Sequence, residues 1–324
     1  MTSVTRRSLT ALSLLAAVPP AFAQPAWPSR PIRFVVPWPP GGLNDVIARF
    51  YNDRVSQALG QTIVNDFKSG AGGRIGVAEI ARAAPDGYTI GMGNLGPLTI
   101  FPHLDRNIPY DVARDLVPIV MFCASPLVLV VPASSPVRDV AGLIAAARAA
   151  PGRMNYASVG VGTAQHLIFE MFKRRDGIAM EHVPYRGTNE SLPAMMQGSI
   201  QAMFDTLPLM LPQISAGAVR AIAVTTPSRL PQLPDVPTLA EVGYPEVDVV
   251  TWYAVIAPAG TPAPVQARLW TEYTKVAETA EAQRFLAEQG LIHLPMSQAA
   301  FAARVAAESA RWATIIRDQN IRID

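Results

Sequence analysis

Three glycine-rich segments, each standing where an apolar β run gives way to a helical pattern, constrain this 324-residue chain more than any other feature. They read PWPPGGLNDVIAR (37–49), KSGAGGRIGVAEIAR (68–82) and YASVGVGTAQHLIFEMF (156–172). Glycine lets backbone approach a ligand closely, and a following helix presents unpaired N–H groups and a partial positive charge. Loops of this kind converging on one cleft would hold a small anion without a metal, a cofactor or a catalytic side chain.

Around these loops the chain alternates strand-like and helix-like segments, the pattern of an α/β protein with largely parallel sheets. IRFVVP (32–37) reads as a buried strand, and Val46, Ile47, Phe50, Val55, Ala58 and Leu59 then recur at helical spacing. Short strands are expected at 62–64 and 88–92, with a helix near 75–83 between them. LVLVV (127–131) and VVTWYAVIA (249–257) are long β runs without an amphipathic face. They suit strands that cross from a first lobe to a second and back. Between them helices are expected near 140–149, from 163 and near 190–197, and strands near 154–157, 181–183, 200–204 and 219–224. The remainder reads as helices at 265–277, 281–289 and 298–318, and the prolines are assigned to loops such as LPQLPDVPT (230–238).

The N-terminus reads as an export signal over residues 1–23. Arg6 and Arg7 supply a basic start, 9–18 is a short apolar stretch, and Ala21-Phe22-Ala23 fits a cleavage site. The apolar stretch is too short to span a bilayer. The paired arginines leave both general secretory and twin-arginine export open. Without them the 27 basic residues fall to 25 and balance the 25 acidic ones. The basic excess of a nucleic-acid-binding protein is absent. Cys123, the single cysteine, makes no intramolecular disulfide, so the fold rests on its core. The expected compartment is the periplasm, with no cofactor and no nucleic acid, and a monomer as the default.

The loops carry the candidate chemistry. In Gly41-Gly42-Leu43-Asn44-Asp45, Asn44 suits an N-cap and Asp45 the first helical turn, and the same geometry turns N–H groups toward a cleft. Asp45 is also a candidate to orient a water or accept from a ligand. In Gly70-Ala71-Gly72-Gly73-Arg74-Ile75-Gly76 a dinucleotide fingerprint would need glycine at 75, and Ile75 breaks it. Ser158, Gly160, Gly162, Thr163 and His166 form the third loop. A serine hydrolase would use Ser158, His166 and Asp205, but Tyr156 stands where a nucleophile elbow needs glycine. The four histidines and one cysteine show no metal-ligand spacing. Tyr185-Arg186-Gly187 follows a strand, where Arg186 offers a fork for a carboxylate or a merely exposed turn. Asp205 ends another strand, where ligands gather in open α/β sheets. Trp38, Trp252 and Tyr253 suit core or hinge packing.

In order and spacing, the blocks PWPPGGLNDVIAR, SGAGGRIG, AAPDGYTI (83–90), YASVGVGTAQHL, HVPYRGTNESLPAMMQGSI, the 216–245 segment and WYAVIAPAGTP (252–262) resemble the Bug-type extracytoplasmic solute receptors of tripartite tricarboxylate transport systems. The resemblance spans nearly the whole chain beyond the export signal. It implies a two-lobed periplasmic-binding-protein fold, type II-like, each lobe a mostly parallel sheet flanked by helices, with two crossing hinge strands. Residues 24–125 and 254–324 would form the first lobe and 126–253 the second. It implies no enzymatic step, a small organic acid as ligand, and a membrane permease or a sensor protein as partner. Carried over, ligand contacts fall on Trp38, Pro40, Gly41, Gly42, Asn44 and Asp45, on Ser158, Gly160, Gly162, Thr163 and His166, and on Tyr185, Arg186, Gly187 and Asp205. The chain departs from the family pattern at Ser69, at Asp66-Phe67-Lys68, at Gln201 and at Asn94-Leu95-Gly96. These departures bear on which ligand is bound.

Overall fold

The computed structural model describes residues 27–105 and 107–322; the export signal read over 1–23 lies outside them. The first glycine loop shows how the sequence builds the scaffold. β1 (Ile32–Val36) is an almost continuous buried run that ends at the loop, and α1 (Leu43–Leu59) buries Leu43, Ile47, Tyr51, Val55 and Leu59 at every fourth position. Gly60 then stops the helix in the left-handed conformation that glycine adopts without strain. β2 (Ile63–Phe67), α2 (Arg74–Ala81) and β3 (Thr89–Asn94) follow, then short helices α3 (Phe101–Leu104) and α4 (Val112–Asp115).

The 17-residue β4 (Leu116–Pro132) joins the two halves. Beyond it come α5 (Val140–Ala149), β5 (Asn155–Ser158), α6 (Ala164–Asp176), β6 (Glu181–Pro184), α7 (Thr188–Met196), β7 (Ala202–Thr206), α8 (Leu207–Ser215) and β8 (Val219–Val224). The chain returns through β9 (Val250–Pro258) and closes with α9 (Ala263–Ala277), α10 (Ala280–Glu288), β10 (Ile292–His293) and α11 (Gln298–Asp318).

The strands form one continuous curled sheet in the order β2-β1-β3-β9-β4-β7-β5-β6, with β8 and β10 also on β4. β4 pairs with β9 from Leu116 to Pro126, then with β7 and β8 from Leu127 onward. One strand thus belongs to both lobes. The outer pairs, β1 with β2 and β3 and β5 with β6 and β7, are parallel. The expectation of mostly parallel sheets needs correcting at the centre, where β3–β9, β4–β9, β4–β7 and β4–β8 are all antiparallel. Strands that traverse the junction in opposite senses meet head to tail, which is the antiparallel ladder.

α3, α4 and β10 are not among the expected elements, and two further departures have a clear cause in the sequence. β4 begins eleven residues before the 127–131 run, because Pro118 and Pro126 obscured a strand whose residues are nearly all buried. No element is expected from the sequence over 207–215, where α8 forms: Pro208 sits in its first turn, where the missing N–H is harmless, and Pro212 lies inside it. Three buried aromatics, Tyr51, Phe122 and Tyr273, stack across the first lobe. Each contributes roughly 1.5–3 kcal/mol of burial.

Candidate functional site

Four helices, α1, α6, α7 and α8, start on one cavity of about 260 Å³ between the lobes. Their N-cap residues, Gly42, Thr163, Gly187 and Thr206, all line it, and none caps its own helix through a side chain. Several helices elsewhere differ: the Asp139, Thr279 and Ser297 side chains each accept a backbone N–H at the starts of α5, α10 and α11, whereas α2, α3 and α9 also begin without a side-chain cap. The leading N–H groups of a helix have no partner within it, so the ends facing the cavity keep donors and partial positive charge available.

The first loop explains how one such end is prepared. Gly41, at φ +82°, donates its N–H to Asp45 Oδ2 at 2.8 Å, and Asp45 Oδ1 accepts from Arg49 Nε at 2.5 Å. Asp45 therefore faces its own helix and is not among the residues lining this cavity. Asn44 lines the cavity from the same turn, and its Oδ1 is buried without a partner among the described residues. It is not the N-cap; Gly42 is.

Of the residues singled out in the sequence, Trp38, Pro40, Gly42, Asn44, Thr163, Arg186, Gly187 and Asp205 line this cavity. Gly160 and Tyr185 line an adjoining one of about 340 Å³, which shares Trp38 and Arg186 and is walled by the Gly70–Arg74 turn. Gly41, Asp45, Ser158, Gly162 and His166 line neither. Gly162 is there for lobe packing: a Cβ on it would sit 2.4 Å from the Phe101 ring.

Ser158 and His166 belong to a buried support behind the third loop. Ser158 Oγ donates to the Gly160 carbonyl at 2.9 Å and lies 2.7 Å from His182 Nε2. His166 Nδ1 accepts from Gly162 N–H at 3.0 Å, and the His166 and His182 rings stack 4.0 Å apart. Burial pushes His166 down to about 4, with Glu170 pulling the other way. It pushes His182 down to about 3, helped by His166 and Lys173. Both are neutral acceptors or donors at neutral pH. The Ser158–His166–Asp205 arrangement of a hydrolase is not assembled, since Ser158 meets His182 and Asp205 meets neither.

Asp205, at 2% exposure, closes the floor. Its Oδ2 accepts from Thr188 Oγ1 and its Oδ1 from Thr206 N–H, both at 2.7 Å. Burial raises it to about 6, against the opposing effect of these hydrogen bonds. Arg186 is exposed at the rim beside Glu190.

Sequence reasoning missed several lining residues. Thr251 and Tyr253 project from β9, while Trp252 between them turns away and donates Nε1 to Glu308 at 2.6 Å. The alternation of a strand supplies the signal: once 249–257 is a crossing strand, every second residue faces the cleft. Gln165, near the start of α6, is buried on the cavity and was likewise not singled out, whereas Asn94-Leu95-Gly96, where the chain departs from the family pattern, does line it from the end of β3. Among the described residues no group of three metal-ligating side chains gathers, and no helix is long and apolar enough to cross a membrane.

Residues 47–321 match the model of the tripartite tricarboxylate transporter family receptor. The chain is 33% identical to BugT of Bordetella pertussis over 301 residues, 92% of this chain and 91% of that protein. Among solved structures it is similar to Rpa4515 of R. palustris with adipate, at 34% identity and a TM-score of 0.86 over 91% of this chain and 99% of the other. It is likewise similar to MatC of Rhodopseudomonas palustris with bound malate, at 28% identity and a TM-score of 0.85 over 90% and 100%.

Proposed function

The chain belongs to the tripartite tricarboxylate transporter family of receptors, and on that footing we propose that it is a periplasmic receptor capturing a small organic acid by hinge closure and delivering it to a membrane permease. The observation that carries the reading is the convergence of four helix N-termini, without side-chain caps, on one cavity between the lobes. A carboxylate placed there meets N–H donors and four favourable dipole ends, each worth about 0.3–1 kcal/mol and up to ~2 when partly buried. The adipate and malate held by two similar proteins support a carboxylate as the ligand class.

Residues 24–125 with 254–324 act as one lobe and 126–253 as the other. Ligand bridging them favours the closed state by the contacts it makes only there. Residues 1–23 act as the export signal, removed on the way to the periplasm. No chemical step follows capture.

A thermal-shift screen of residues 24–324, denatured and refolded to strip carried ligand, tests the reading against organic acids, amino acids and neutral amides. A ligand at 100 times its dissociation constant should stabilise the protein by about 2.7 kcal/mol. Stabilisation by carboxylates alone is the expected outcome. A screen flat for every carboxylate, or responsive only to neutral compounds, would overturn the reading. Uptake of the identified acid should disappear when either the receptor or its permease is deleted.

A further inference from the structure

The floor of the cavity is built for hydrogen bonds and not for a second negative charge. Its charged lining among the described residues is Arg186, Glu190 and Asp205, so the wall carries more negative than positive charge, and its cation lies at the exposed rim. Deeper in, Asn94, Gln165 and Tyr253 are each at least 95% buried and face the cavity. No side-chain hydrogen bond to another described residue engages any of the three, and yet none of them ranks with the fully enclosed, unsatisfied groups. Their polar ends open onto the cavity. Buried polar groups are ordinarily paired, so this set is completed by what the cavity receives.

Asp205 stands among them with acceptor capacity to spare. A carboxylate offers about four lone-pair sites; Thr188 Oγ1 occupies one on Oδ2, and Thr206 N–H, with a longer contact from Thr206 Oγ1 at 3.4 Å, falls on Oδ1, which leaves Oδ2 with a free site. Like charges close together in a site shielded from water repel strongly, whereas a donor beside a buried carboxylate makes a charge-assisted hydrogen bond. Apolar Leu43, Leu95, Pro97 and Leu209 supply the rest of the lining beside these polar groups.

We propose that the cavity selects acids with a single carboxylate whose far end is a hydrogen-bond donor, a hydroxyl, amide or ammonium group, directed to Asp205, over di- and tricarboxylates. The proposal rests on the carboxylate-receptor reading and narrows it. The single carboxylate takes the α1 start, where Gly42 and Asn44 line the cavity, and Asp205, bonded at the starts of α7 and α8, reads the donor end together with the Asn94 and Gln165 amides.

The test titrates the refolded wild-type receptor at pH 7.5, by calorimetry, against three scaffolds in matched forms. They are butyrate, 4-hydroxybutyrate, 4-aminobutyrate and succinate; hexanoate, 6-hydroxyhexanoate, 6-aminohexanoate and adipate; and benzoate, 4-hydroxybenzoate, 4-aminobenzoate and terephthalate. On the scaffold that binds best, the donor-bearing acid should bind at least tenfold tighter than the dicarboxylate. In Asp205→Asn, which keeps an acceptor for Thr206 N–H, the two should come within threefold. A wild-type preference for the dicarboxylate overturns the proposal and leaves the receptor reading standing, and this result needs no variant. A donor preference unchanged in a folded Asp205→Asn protein overturns the role given to Asp205. Absence of binding on every scaffold overturns the carboxylate reading and the proposal with it.

Discussion

His166 and His182 bear the third glycine loop from behind, and their titration is the residue-scale consequence. In the unfolded chain a histidine takes its proton near pH 6.5, whereas in the folded protein His166 does so only near 4. The unfolded state therefore binds the extra proton between these values. The stability His166 contributes is present above about pH 6.5 and is lost as pH falls toward 4, at up to about 1.4 kcal/mol per pH unit. His182 acts in the same direction, discounted because it lies nearer solvent. Asp205 runs the other way: raised to about 6, it binds its proton more readily folded than unfolded, so its contribution grows as pH falls from 6 toward 4. Urea unfolding at pH 7.5 and 5.5 should show a net loss of about 1 kcal/mol. The double variant His166→Asn/His182→Asn should show no loss over that interval and a small gain, since Asp205 then acts alone; an undiminished loss would place the titration elsewhere. None of this was legible from Ser158 and His166 alone, because their partner His182 arrives from β6.

At the scale of elements, the contrast between capped and uncapped helices is the informative one. Gly42 has an extended backbone at φ −89°, which any residue adopts, and a Cβ there would meet nothing closer than the Pro39 carbonyl at 3.8 Å. A carboxylate introduced as Gly42→Asp would cap α1 and take the place offered to a ligand. The free protein should be unchanged or gain a few tenths of a kcal/mol, and acid binding should weaken at least tenfold. Thermal unfolding and calorimetry on the same preparation check both halves; undiminished affinity would remove the α1 end from the ligand site. The helices themselves were mostly legible, since α5 and α11 carry clear periodic runs. α8 was not, because a propensity reading penalises Pro212, while packing of Leu207 and Met210 into the second lobe retains the helix.

Across the whole molecule, the two lobes meet at glycines. A Cβ on Gly160 would lie 3.1 Å from the Gly72 Cα, and one on Gly162 would strike Phe101. Backbone from the second loop thus rests directly on backbone from the third, beside both cavities. Gly160→Val should hold the lobes apart. Small-angle scattering should find the wild type contracting on addition of its acid and the variant failing to contract, with affinity reduced at least tenfold. A variant that closes and binds normally would show that this seam is not the closing contact.

The sequence by itself determined the alternation of strands and helices, the two crossing runs and the three glycine loops at strand–helix junctions, because these depend on local pattern and backbone freedom. It also located Trp38, Gly42, Thr163, Arg186, Gly187 and Asp205, which stand at such junctions. Tertiary structure alone decided which of the loop residues face the cavity and which turn inward, as Asp45, Ser158 and His166 do. It also brought Asn94, Gln165 and Tyr253 to one floor from β3, α6 and β9. Facing is settled by partners distant in the chain, and no local pattern encodes where Arg49, His182 or β9 will lie once the sheet has curled.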